Sequence, residues 1–337
     1  MIPKPEWVTH FPDGELGLHT PNNTKIILGA IDAEYTRISY TENLILSLQF
    51  AVVNLKNGTY KKYIHYMDTT TKERLSLSEI ILIIFQLMGI PESEIHGYHL
   101  ILICHMCAAE FSTMKDRKKI APYLEFLYKT VITFKPIEIT LKLSDGSSCK
   151  ITFEVGDTML LLPPSHRSLE KATSLLDEKF HKKELTQNEK ERMDLLLQND
   201  PIRFEEYALH DADITLRLFI KLQYTLNKMN GSKNTRFTTI GSATVKHFVK
   251  QMNKEMFKSQ FGKSNEVYQQ GLSLAKRAYM GGLNSSYVVG EREGELFLDI
   301  DFSSAYPTVM NLLEMSDFGQ PIVTVEDDTF SLGDRDD

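Results

Sequence analysis

The sequence predicts an α/β fold built on a mixed sheet, and three observations carry that prediction. Apolar, strand-like runs come first along the chain, and strands then alternate with helical stretches. Two of the early runs flank Lys56-Asn57-Gly58-Thr59, a strong hairpin turn. Two capping boxes, Ser76-Leu77-Ser78-Glu79 and Thr186-Gln187-Asn188-Glu189, mark helix starts later in the chain.

The elements follow in order. Ile26–Ile31 reads as an apolar strand delivering Asp32-Ala33-Glu34, and Leu44–Leu55 with Tyr60–Tyr66 form the hairpin. The first capping box opens an amphipathic helix to about Met88, stopped by Gly89-Ile90-Pro91. Tyr98–Cys104 is a fourth strand, and Ala108–Met114 starts a helix. Ile137–Leu143 and Cys149–Val155 pair around Asp145-Gly146. Ser168–Leu176 is a short helix, the second capping box leads a charged helix to about Gln198, and Arg203 to about Lys228 is a long helix. Asn230-Gly231-Ser232-Lys233-Asn234 has linker composition, which places a boundary between domains 1–230 and 231–337. Beyond it come helices over Ser242–Met256 and about Ser273–Tyr279, then short strands from Asn284 to Asp301.

Composition bounds the function classes. With 337 residues, 42% apolar and 25% charged, the chain is long enough for one large or two ordinary globular domains. Its longest apolar runs, such as Ile80–Met88, are too short to span a bilayer, and Met1-Ile2-Pro3-Lys4-Pro5 lacks a signal-peptide pattern. The expectation is a protein without membrane attachment in a cytosolic or virus-like replication context. The net charge of −7 argues against a simple DNA-coating protein. The acidity is local, since residues 326–337 hold six acids and one arginine, and the rest is close to neutral. Lys115–Lys119 and Lys182–Lys183 could meet phosphate, although solvated surface charge is the ordinary reading of both. Cys104 and Cys107 lack a second cysteine pair, and a strand would splay His96, His99 and His105. They read as buried thiols at a strand end and a helix start.

Carboxylates carry the chemistry. Strand alternation puts Asp32 and Glu34 on one face, where together they can bind a divalent cation. On the long helix, Tyr207 and Asp211 are spaced i, i+4 and share a face. A hydroxyl beside a metal ligand can orient an attacking water. No Ser/His/Asp or Cys/His set suggests a covalent intermediate.

Asp32-x-Glu34 followed by Tyr207-Ala208-Leu209-His210-Asp211 resembles the 3′–5′ proofreading exonuclease of family B DNA polymerases, which has an RNase H-like fold. Between them, His105-Met106-Cys107-Ala108-Ala109-Glu110-Phe111 is similar to the second exonuclease motif in its viral and organellar form. Glu110 stands where the family has Asp, and the extra methylene moves the carboxylate by roughly 1.5 Å. The resemblance implies Asp32, Glu34, Glu110 and Asp211 as ligands of two Mg²⁺ or Mn²⁺ ions, with Tyr207 positioning the nucleophile. It makes Phe153–Thr158, Ser168-Leu169-Glu170, Asp213 and Thr215 markers of the same fold.

The resemblance continues past residue 231. Tyr279-Met280-Gly281-Gly282 is similar to the Tyr-x-Gly-Gly motif that holds single-stranded template between the two activities, although Leu283 replaces the Arg that often follows. Leu298–Pro307 resembles the first metal-binding motif of the polymerase palm, Asp-x-x-Ser-Leu-Tyr-Pro, with Ala305 in place of Leu. Asp301 would then hold a catalytic metal, the backbone near Phe302–Ala305, with Ser304 among the nucleotide-binding positions, would face the triphosphate, and Tyr306 would stack under the incoming sugar. Neither a fingers helix with Lys and Tyr nor the later Asp-Thr-Asp turn is found. The implied partners are DNA, as single-stranded 3′ ends or primer-template, then dNTP and a second polymerase chain if one completes the palm. Two alternatives stay open: a non-catalytic DNA-binding accessory module, and half of a split polymerase. One metal-binding aspartate does not support two-metal nucleotidyl transfer, so the purified chain is expected to give no templated extension of a primer with dNTPs. Extension on a sequencing gel would refute that expectation.

Overall fold

The computed structural model describes residues 25–39, 43–127, 130–133, 135–232 and 235–251. Its centre is a six-stranded mixed sheet, in spatial order Thr59–Tyr66, Asn43–Asn54, Ile26–Arg37, His99–Cys104, Ser148–Asp157 and Ile137–Lys142. Strands β1 (Ile26–Arg37), β2 (Asn43–Asn54) and β3 (Thr59–Tyr66) form an antiparallel meander. Helix α1 (Leu77–Leu87) then supplies the crossover that a parallel neighbour requires. β4 (His99–Cys104) pairs parallel with β1, and β8 (Ser148–Asp157) pairs parallel with β4. The edge strand β7 (Ile137–Lys142) returns antiparallel on β8. An α/β chain with a mixed sheet is what the sequence led us to expect.

The local chemistry explains the elements. Ser76 and Glu79 close the expected capping box on α1, and Gly89 at φ +68° ends the turn beyond it. The long helix is α7 (Pro201–Asn230), which starts two residues earlier than its periodicity suggests. Asp200 accepts the Arg203 N–H at 3.0 Å and Pro201 occupies the first turn. Gly231, in the left-handed region at φ +54°, closes it.

Between β4 and β7 the chain forms α2 (Ala108–Ser112), α3 (Arg117–Ile120) and a small hairpin of β5 (Glu125–Leu127) with β6 (Thr130–Ile132). These three-residue strands lie below the length at which periodicity is readable. After β8 come α4 (Leu169–Ala172), α5 (Gln187–Glu191) and α6 (Met193–Asn199). The charged helix expected from Thr186 to Gln198 is therefore two helices. Arg192 leaves helical geometry at φ −126°, ψ 54°. The polar α5 buries nothing, whereas the break turns Met193 and Leu196 of α6 into a cluster with Leu46, Ile64 and Phe204.

The two faces of the sheet bury different layers. On one, Ile27, Ile31, Leu100 and Leu102 pack against Ile80, Ile81, Ile84 and Phe85 of α1. On the other, Leu28, Ala30, Ile101 and Ile103 meet Ala212, Leu216 and Phe219 of α7. Even-numbered residues of β1 thus face α7, which puts Asp32 and Glu34 on the side of the long helix.

By its contacts the chain forms two units, Met1–His247 and Phe248–Asp337. The first unit therefore includes described residues after Gly231, up to His247. Gln223 exchanges two hydrogen bonds with the backbone of Phe237, at 2.7 and 3.0 Å. Arg236 pairs with the buried Glu154, whose other oxygen meets His99 at 2.7 Å. Helix α8 (Ile240–Gln251) follows, so the part of the expected 242–256 helix beyond Gln251 lies outside the described residues. Among the described residues no helix is long and apolar enough to cross a membrane.

Gly156 of β8 lies against Phe219 of α7. A Cβ there would meet the Phe219 ring at 2.9 Å, in a core with no room to shift. Gly156→Ala is expected to cost about 1–3 kcal/mol, seen as a lower denaturation midpoint with an unchanged slope.

Candidate metal centre

The strands have unequal lengths, and that difference builds the site. Parallel pairing of β1 with β4 ends at Ala30↔Ile103, whereas β1 continues to Arg37 on β2 alone. Asp32 and Glu34 therefore lie where β1 has lost its β4 neighbour, at the carboxyl end of the parallel strands. Functional groups commonly gather there, because loops leave the sheet at that edge. Across the antiparallel ladder Asp32 faces Gln49 and Glu34 faces Ser47, just before a register shift at Glu34/Tyr35. Ser47 and Gln49 are fully buried and joined by a 2.6 Å hydrogen bond.

Helix α7 brings the third acid. Asp32, Glu34 and Asp211 offer ligand oxygens that all lie within 4.8 Å of one another. Among the described residues this is the one such group of acids, histidines or cysteines. Tyr207, one turn earlier on α7, is buried beside Asp211 as the i, i+4 spacing requires. Glu110 stands outside the 4.8 Å group, yet it is buried and Asp32 is the charge it feels most. Cys104 and Cys107 are buried thiols, as expected, and burial pushes the Cys104 thiol up to about 12.

Lys182 corrects the sequence reading. It is not a solvated surface charge but a largely buried one, hydrogen-bonded to Asp211 Oδ2, with its ammonium 5.3 Å from the centre of the Tyr207 ring. Two contacts fix the segment that carries it. The His210 ring donates to the His181 carbonyl at 2.8 Å, and the Lys182 N–H donates to Thr173 Oγ1 at 3.2 Å. Only its place beside Asp211 in space, invisible along the chain, separates it from Lys183. That neighbour makes an exposed pair with Glu206.

Crowding shifts the titrations. Burial, then the nearby Asp211 charge, raises Asp32 to about 7, against an opposing pull from Lys182. Burial, followed by the charges of Asp32 and Asp211, holds Glu34 well above the usual carboxylate range. Burial and Asp32 do the same to Glu110. Burial alone would lower Lys182, but the Asp211 carboxylate reverses that and raises it. Tyr207 is raised by burial and by Asp211, so its phenol keeps its proton.

A cation fits these residues. Glu110 Oε2 and Asp211 Oδ1 are buried without a hydrogen-bond partner, and buried polar atoms are rarely left so. Oxygen donors and a negative field suit a hard divalent ion. No protein-family model matches this chain, and no curated protein matches it. The positions expected to serve polymerisation, Tyr279, Gly281, Gly282, Asp301, Ser304 and Tyr306, lie outside the described residues.

The raised Asp32 pKa has a stability consequence. Between its ordinary value of 3.8 and about 7 the folded state holds the proton more tightly than the unfolded chain does. Stability from this group is present at low pH and is lost as pH rises toward 7 in a chelator-treated protein. Asp32→Asn removes that loss. The variant is expected to gain on the order of 1–3 kcal/mol over wild type by pH 8 and nothing near pH 4, read from chelator-treated melts across that range. Adding Mg²⁺ or Mn²⁺ at pH 8 is expected to raise the midpoint of wild type more than that of the variant.

Proposed function

We propose that this chain is a metal-dependent 3′–5′ exonuclease acting on single-stranded DNA ends, with an RNase H-like fold, from the N-terminal part of a family B DNA polymerase. The observation that carries the proposal is the convergence of Asp32, Glu34 and Asp211 within 4.8 Å. They come from the part of β1 that runs beyond its parallel pairing with β4 and from a late helix, the elements the motif resemblance names. The mixed sheet, with its antiparallel meander leading into parallel strands, supports the fold reading.

Asp32, Glu34, Asp211 and Glu110 would hold two divalent ions, Mg²⁺ or Mn²⁺. Such ions supply a nucleophilic water at neutral pH and offset charge on the attacking and leaving oxygens. The protein's own groups divide the remaining work. Tyr207, kept protonated, has a hydroxyl able to orient the attacking water. Lys182, kept charged beside Asp211, can stabilise negative charge gathering on a phosphate. The raised carboxylates give up their protons when a cation takes their place.

The polymerase part of the proposal rests on the motif resemblance around Tyr279–Gly282 and Asp301–Tyr306. With it come primer-template DNA and dNTP as ligands, a second chain if one completes the palm, and a replication setting of viral, plasmid or organellar type.

One observation favours a second reading, a non-catalytic DNA-binding accessory module: Lys182 already neutralises part of the acid cluster. A 5′-labelled single-stranded oligonucleotide with Mg²⁺ or Mn²⁺ separates the two. The nuclease proposal expects stepwise shortening from the 3′ end, reduced on the order of 10³-fold or more in Asp32→Ala. Oligonucleotide binding without shortening, with either ion, selects the accessory module.

A further inference from the structure

The segment carrying Glu110 is short and enters from an unfavourable backbone conformation. Met106 lies in the left-handed region at φ +67°, a costly conformation for a residue with a side chain. The helix that follows, α2, has only five residues, and the Cys107 side chain does not cap it. Something outside the segment must fix it.

That group is the carboxylate of Asp157, the last residue of β8 and only 1% exposed. Its Oδ1 accepts the Met106 N–H at 3.1 Å and the Met159 N–H at 2.9 Å. Its Oδ2 accepts the Cys107 N–H at 2.9 Å and the Thr130 hydroxyl at 2.5 Å. One carboxylate thus joins three stretches of chain, and none of its partners is a cluster acid. Charge-assisted bonds to backbone N–H groups are the strong kind. From Cys107 the restraint passes along a single turn. Cys107 O accepts the Phe111 N–H at 2.9 Å, Phe111 is locked in the core, and Glu110 lies between them.

We propose that Asp157 is a positioning residue, one that sets the Glu110 carboxylate against Asp32 and so completes the weaker of two cation sites. The inference rests on the metal-centre reading above. Asp157 binds no cation itself. It acts through the backbone of Met106 and Cys107.

The test is Mn²⁺ binding to the full chain, followed by the paramagnetic resonance of free Mn²⁺ at pH 7.5. Wild type is expected to bind two ions. Asp157→Asn is expected to keep the tighter site and to weaken the other roughly 10–100-fold, the usual effect of losing a group that orients a ligand. Glu110→Gln is expected to do the same. The double variant is expected to be no weaker than Glu110→Gln, because a residue acting only through Glu110 adds nothing once that ligand is gone. Thr130→Val removes a bond from Asp157 but leaves its bonds to Met106 and Cys107 in place, so it is expected to bind both ions about as wild type does. Unchanged binding in Asp157→Asn, or independent losses in the double variant, overturns the proposal. If Asp157→Asn does not melt cooperatively, Met106→Gly decides, since glycine tolerates the left-handed turn but loosens it. Loss of the weaker site in Met106→Gly supports the proposal, and wild-type binding overturns it. A wild-type protein that binds one ion overturns this inference alone. One that binds two ions and leaves the oligonucleotide intact overturns only the nuclease reading.

Discussion

The described unit depends on how carboxylates are kept together where β1 runs beyond its parallel neighbour β4. Like charges at that separation repel, and burial adds a desolvation penalty to each. Asp32, Glu34 and Glu110 respond by holding protons that ordinary carboxylates release, and Asp211 is matched by the Lys182 ammonium. An arrangement of this kind persists only where the surrounding core over-determines it. Here the sheet holds two of the acids, the long helix holds a third, and a short helix whose entry is tied to β8 holds the fourth.

The core explains why those supports are rigid. Helix α7 lies on the same face of the sheet as Asp32 and Glu34, pressed there by Ala212, Leu216 and Phe219 against Leu28, Ala30 and Ile103. Gly156 lets β8 approach Phe219, so the strand that ends in Asp157 is seated by the same contacts. Asp213, two residues beyond Asp211, accepts bonds from Tyr60 at 2.5 Å and Arg217 at 2.7 Å, anchoring the helix to β3. Metal ligands are precise when the elements beneath them cannot slide. The packed layers and the electrostatics are therefore parts of one arrangement.

The sequence was legible where a local period fixes side-chain direction. The alternation of β1 placed Asp32 with Glu34, and the helical repeat placed Tyr207 with Asp211. It was also legible where a single cap defines a start, as at Ser76 and Thr186. It was less so for Glu110, because α2 is too short for any period to orient its third residue. The split of the charged helix at Arg192 was also hidden, since burial of Met193 and Leu196 decides it and neither residue breaks a helix by itself. The short pairing of β5 with β6 left no pattern long enough to read.

The sequence alone determined which residues share a face, where the main strands and helices begin, and which acids are candidates for a cation. These follow from backbone geometry that repeats every two residues in a strand and about every 3.6 in a helix. Tertiary structure decided the rest: that the strand-end acids meet the acid of the long helix, that Lys182 and not Lys183 enters the cluster, and that Asp157 grips the Glu110 segment. Those contacts join residues dozens of positions apart, and only the closing of loops around a packed core sets their distances.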